Sequence, residues 1–482
     1  MDCLVYIAGD VMSYSTIDYV YQGRVKRSFF SAHAIARLTN QGKVVALLPD
    51  SLLYYKDDIS QYKEMLTKGY RNMILSRLNE VNVDFETRKD VEEFVNSLDI
   101  RVIPNVGVGS PYQIDDDAHL IREQGPDNRP RYKRHQYKSE RSPVFIYNVV
   151  YSVFKDLADN GCEKFTVDLT HGTNVLIAIT LIAGSLFDST FLMAPVIGSP
   201  GSAVTVVDVT DIVRAFKDSY GVYLSIKWVD ERYFRDYREK LLKINVKNYQ
   251  KERDVLKSLR GLDPSIVMEL LRNLRLGFSV NALKDMEDVT ANFLTIKGDV
   301  DKLKEFYESW YDHLSLENEG NILLSNFYST LTVQDLIVKG DDIERLKGIL
   351  DIYIRAQYYD NALSLGRELA VAICLDKHGG GVFESNGKGH GGQEKAPTPY
   401  DQCNEVINSL VGKEKGIIDS RFVQYRNILM HGGLSVDLKT QIKDKKVVNK
   451  NPEKTDNIIR YVSEGLKKDL AKIEEILSKE NV

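Results

Sequence analysis

Six short apolar runs punctuate the first 230 residues: CLVYIAG (3–9), KVVALLP (43–49), DIRVIPNVGV (99–108), KFTVDLT (164–170), TFLMAPVI (190–197) and AVTVVDV (203–209). They read as buried strands, because strands covered on both faces show near-continuous apolar runs rather than alternation. Stretches with helical apolar spacing lie between them, at 28–40, 60–80, 87–97, 143–158 and 174–187. Parallel strands need long crossover connections, so this order implies βαβ units around a mostly parallel sheet. The chain therefore opens as an α/β domain, expected over residues 1–230. A polar segment at 115–141, first acidic and then basic, interrupts the rhythm and reads as a surface insertion.

Beyond about residue 246 the strands nearly stop. Helical spacing returns at 250–262, 264–276, 280–294 and 299–314, then at 343–358, 361–376, 402–410, 417–431 and 455–479. A glycine-rich stretch (377–401) and a lysine-rich stretch (442–454) read as loops. The expected layout is a mostly helical connector, 231–340, followed by an all-α domain, 341–482. A chain of 482 residues exceeds what one core usually holds, which agrees with several domains. A net charge of -5 argues against a globally basic nucleic-acid coat.

The opening MDCLVYIAGD lacks a basic n-region and reads as a strand, so no signal peptide is expected. The longest apolar run, 175–187, is too short for a bilayer and reads as a buried core helix. No membrane association is expected. Cys3, Cys162, Cys374 and Cys403 lie far apart without a CxxC pair. That spacing suggests neither a zinc framework nor a disulfide scaffold and suits a cytoplasmic protein. His378 and His390 have no ligating cluster beside them in sequence, so no metal is expected.

Two stretches carry chemistry. In RNILMH, 426–431, successive helical residues turn by about 100°. Phe422, Tyr425, Ile428, Leu429 and Met430 then share an apolar arc, while Asn427 and His431 share the opposite face. Arg426 falls within the apolar arc, where a guanidinium must find a partner beyond its own helix. An imidazole moves protons and a guanidinium clamps phosphate, the minimum for cutting RNA through its own 2′-hydroxyl. A plain packing or surface role is the competing account. One histidine also leaves the reaction short of a second proton-transfer group, which a second copy of the helix would supply.

In KFTVDLTHGTN, 164–174, a strand runs into a polar turn and then a helix. Ligands of open α/β sheets bind outside the C-terminal strand ends, where helix N-termini suit phosphate. Thr170, His171, Thr173 and Asn174 offer hydroxyl, imidazole and amide groups, and Gly172 allows close approach. Simple helix capping is the alternative. The loop AGDVMSYST, 8–16, would face them with Gly9 and Asp10. Neither a G-x-G-x-x-G after a strand nor a P-loop is present, which excludes those two nucleotide sites.

Together, DLTHGTN (168–174) and RNILMH (426–431), in this domain order, resemble the Csx-type CARF–HEPN ribonucleases of type III CRISPR systems. The resemblance implies a Rossmann-like CARF domain that binds a cyclic oligoadenylate, such as cyclic tetra-adenylate, as an allosteric activator. It further implies a helical HEPN domain that cuts single-stranded RNA without metal, in antiviral defence and as a homodimer or higher oligomer. Arg426, Asn427 and His431 would then be catalytic. Gly9, Asp10, Thr170, His171, Gly172, Thr173 and Asn174 would line the ligand pocket. The rival is a non-enzymatic CARF-type regulator binding DNA or protein through its helical half.

Overall fold

Side chains alternate across a strand, and the first strand, Asp2–Ile7, shows the consequence directly. Cys3, Val5 and Ile7 enter one apolar core with Val45, Leu47 and Val167. Leu4 and Tyr6 enter another with Val44, Ala46 and Leu48. In the computed structural model this strand lies inside a six-stranded sheet. The order is Val207–Asp208, Ser189–Met193, Lys164–Asp168, Asp2–Ile7, Lys43–Pro49, Asp99–Ile103. All neighbours pair in parallel except the edge strand Val207–Asp208, which is antiparallel. Helices Ser31–Leu38, Ile59–Glu80 and Phe85–Ser97 cover one face, and Pro143–Asp159 and Asn174–Gly184 cover the other. Each fully buried aliphatic side chain in these layers contributes about 1.5–3 kcal/mol. The α/β expectation for the first part of the chain is met.

The structure describes residues 1–56, 59–125, 129–196, 203–232, 234, 264–308, 324–380, 396–411, 418–430, 440–443, 446–449 and 455–479. The chain divides into two compact units, Met1–Arg214 and Ala215–Val482. The second is largely helical, and its described residues share one apolar core running from Val222 to Leu477. Among the described residues no helix is long and apolar enough to cross a membrane.

Four expectations change. Residues 203–209 split: Ala203–Thr205 joins a small sheet with the hairpin Ile17–Tyr21 and Arg24–Ser28, and only Val207–Asp208 returns to the main sheet. The 175–187 segment is not buried all round, since Val175, Ile182 and Leu186 are exposed. Part of the lysine-rich 442–454 stretch is a hairpin, Thr440–Lys443 with Lys446–Asn449. The cysteines are paired: Cys3 with Cys162 across 159 residues, and Cys374 with Cys403 across 29. Parallel register sets Asp2 opposite Lys164, which brings Cys162 beside Cys3.

Candidate functional site

In the first unit the parallel strands all end on one edge, and the residues just past those ends converge. Tyr6 pairs with Asp168 and Ile7 with Leu47, so the loops after the three central strands lie side by side. Gly9 meets His171 here: a Cβ at Gly9 would lie 3.0 Å from the Cβ of His171 and 2.2 Å from the Tyr14 hydroxyl. Gly172 has φ +122°, and a Cβ there would lie 2.9 Å from Cγ2 of Ile7. Only glycine fits both the conformation and the space. The rings of Tyr14 and His171 stack with centroids 4.3 Å apart.

Each polar residue of this edge has a distinct environment. Asp168 is buried and accepts from Ser31 Oγ at 2.8 Å and from the Thr170 amide at 2.9 Å. The Thr170 hydroxyl in turn accepts from the Ala194 amide at 2.9 Å. Both groups thus hold the loop together. Thr173 caps the helix Asn174–Gly184, accepting from the Leu176 amide, and donates to Asn105 Oδ1 at 3.3 Å. Gly172, Thr173 and Asn174 are exposed at the start of that helix. First-turn amides have no partner within their helix, so this corner suits an anion.

His171 is half-buried, and its Nε2 is buried with no hydrogen-bond partner among the described residues. Burial pulls its imidazole below the ordinary value, while Asp168 acts the other way. A neutral ring is therefore present at neutral pH. Burial also pushes the Tyr14 phenol well up, so this stack is an uncharged aromatic surface. Asp10 accepts from the Tyr112 hydroxyl at 2.9 and 3.0 Å and pairs with Arg134 at 3.5 Å. Its carboxylate is already compensated, which makes it a support for the loop.

Sequence reasoning missed several members of this edge. Asn105 is buried just past the strand Asp99–Ile103, and its backbone amide donates to Asp50 Oδ1 at 3.0 Å. The strand-end rule applied to 99–103 would have found it. Arg134 and Arg141, from the supposed surface insertion, reach Asp10 and Asp50 respectively. Arg134 also lies over the Tyr112 ring, 3.2 Å from its centroid. Nothing in local spacing announces such a return, because the insertion contacts loops far away in sequence.

In the second unit Arg426 and Asn427 lie on the helix Arg421–Met430, and both are half-buried. Phe422, Tyr425 and Ile428 are buried as the wheel requires, but Met430 is 57% exposed. Met430 borders a cavity of about 640 Å³ with Phe278, Ser364 and Glu368. Arg426 Nε is buried with no hydrogen-bond partner among the described residues. His431 lies outside the described residues. The start of the helix is anchored: Asp419 accepts from the Arg421 amide at 2.9 Å and pairs with its guanidinium. Arg421 also lies 5.2 Å over the Tyr461 ring, whose hydroxyl donates to buried Asp469.

Residues 3–201 match the family model described as the CARF domain of the CRISPR system endoribonuclease Csx1. The chain thus carries the CARF domain of a CRISPR-associated protein. No curated protein matches the chain.

Proposed function

We propose that this chain is an endoribonuclease switched on by a cyclic oligoadenylate. The messenger binds at the strand ends of the first unit, and single-stranded RNA is cut at Arg426 and His431 in the second. The carrying observation is Arg426 Nε, buried and without a hydrogen-bond partner among the described residues, on a helix that leads into His431 in sequence. A buried guanidinium nitrogen without a partner is costly, and an arriving phosphate offsets that cost. The match of residues 3–201 supports the sensing half of this reading. There the neutral Tyr14–His171 stack offers a face for a base, and the corner at Gly172, Thr173 and Asn174 offers amides for phosphate.

In the cleavage step the 2′-hydroxyl of the substrate attacks the neighbouring phosphorus and loses its proton, and the 5′-oxygen leaves with a proton. His431 serves one of these transfers, and its counterpart from a second copy serves the other. Arg426 holds the charge that grows on the phosphoryl oxygens. Asn427, beside it, positions the same group. Exposed Val144, Phe145, Val175 and Ile182 on two adjoining helices, with Leu186 just past the end of the second, support a second copy packing on the sensing unit.

The test is a labelled single-stranded RNA incubated in EDTA, with and without cyclic tetra-adenylate. Cleavage stimulated by the ring is expected, with a loss of at least about 100-fold on Arg426→Ala or His431→Ala. Undiminished cleavage by His431→Ala sinks the reading. Ring binding without cleavage, together with selective DNA or protein capture, would establish the regulator instead.

A further inference from the structure

The cysteine-containing end of the helix Tyr359–Lys377 holds none of the residues assigned above to messenger binding or RNA cleavage. Cys374 and Cys403 are buried, at 0% and 2% exposure, while His378 is exposed. One ligating atom from each of Cys374, Cys403 and His378 lies within 4.8 Å of the others. We propose that the reduced protein binds a zinc-class divalent cation through Cys374 Sγ, Cys403 Sγ and a ring nitrogen of His378.

The scaffold holds the three donors from two helix ends. His378 caps its helix, its amide donating to the Cys374 carbonyl at 3.1 Å, so the two residues stand one turn apart on one face. Cys403 comes from the helix Pro399–Leu410, whose start is pinned by reciprocal hydrogen bonds between Thr398 and Asp401. The Cα atoms of the two cysteines are 5.7 Å apart. Two thiolates and an imidazole form a donor set that selects zinc over harder cations. The partial negative charge at the end of the Tyr359–Lys377 helix adds to the attraction. The described residues supply three ligands, so a tetrahedral cation keeps a fourth position that water can fill.

In this structure the same two sulfurs are joined, so cation and disulfide exclude each other. A thiol reductant supplies two electrons and two protons to the disulfide and becomes a disulfide itself, giving two thiols. The cation then displaces both thiol protons and accepts a lone pair from the imidazole, releasing one proton from each thiol. This site stands independently of the proposed nuclease.

Cobalt(II) is the probe, added to the full-length chain after reduction and anaerobic removal of the reductant. A thiolate-to-cobalt charge-transfer band is expected, with visible bands of tetrahedral character that zinc bleaches. The oxidised protein should give neither. Cys403→Ser, which leaves only the Cys374 thiolate, should lower the charge-transfer band about twofold or more, and Cys3→Ser with Cys162→Ser should leave it intact. His378→Ala, at an exposed position, should weaken cobalt affinity at least about tenfold and shift the visible bands. A reduced wild type without the charge-transfer band, an undiminished band in Cys403→Ser, or unchanged affinity in His378→Ala overturns the proposal.

Discussion

The proposed cleavage rests on single side chains, and Arg426 is the first of them. Its planar guanidinium offers a fork of donors matched to a phosphate, whereas lysine offers a point charge. Arg426→Lys is therefore expected to keep the fold but lose at least about tenfold in RNA cleavage rate, read by single-turnover kinetics. Asp90 does a different job in the first unit. It receives His33 Nε2 at 3.2 Å, Arg37 Nε at 2.8 Å and Lys26 Nζ at 2.5 Å. The His33 hydrogen bond, followed by Lys26 and Arg37, holds the Asp90 carboxyl well below the usual range, against a raising effect of burial. Asp90→Asn should lose about 2 kcal/mol at neutral pH. A depressed carboxyl stabilises above its unfolded value of about 4, and that contribution is lost as pH falls through the folded value. Urea melts stepped down from neutral pH should therefore show the gap between wild type and Asp90→Asn closing only below about pH 4.

The strand-end edge proposed to bind the messenger depends on how one helix begins. Thr173 both caps the helix Asn174–Gly184 and ties it to Asn105. Thr173→Ala should cost about 1 kcal/mol and weaken ring binding, measurable by melts and calorimetry on the same preparation. Gly172→Ala should cost more than about 1 kcal/mol, because a side chain at φ +122° would also press on Ile7. The glycine and the capping threonine are legible in sequence, since strand, polar turn and helix adjoin there. The hairpin Ile17–Tyr21 and Arg24–Ser28 carries a local signal too. Its turn, Gln22 and Gly23, takes positive φ at both residues, and alternating residues flank it. Asn105 and Arg134 are different, because their importance comes from elements distant in sequence.

At the scale of the whole molecule, activity should depend on assembly. Exposed Val175 and Ile182 lie along a helix whose other side is in the core, and exposed Leu186 follows just past its end. Ile182→Glu should leave the melting behaviour of the isolated chain unchanged to within about 0.5 kcal/mol. It should shift sedimentation towards the monomer and lower ring-stimulated cleavage. Full cleavage by a monomeric Ile182→Glu protein would show that one copy suffices.

The sequence alone determined the class of each half: a parallel sheet covered on both faces, then a helical unit. Periodicity and turn chemistry act over a few residues, so they survive in a linear reading. It also marked RNILMH and DLTHGTN, because each places its polar groups within one or two turns of chain. Tertiary structure alone decided that Arg134 reaches Asp10 and that Cys403 stands beside Cys374 and His378. Those meetings follow from strand order and helix packing, which bring together residues too far apart for any local pattern to record.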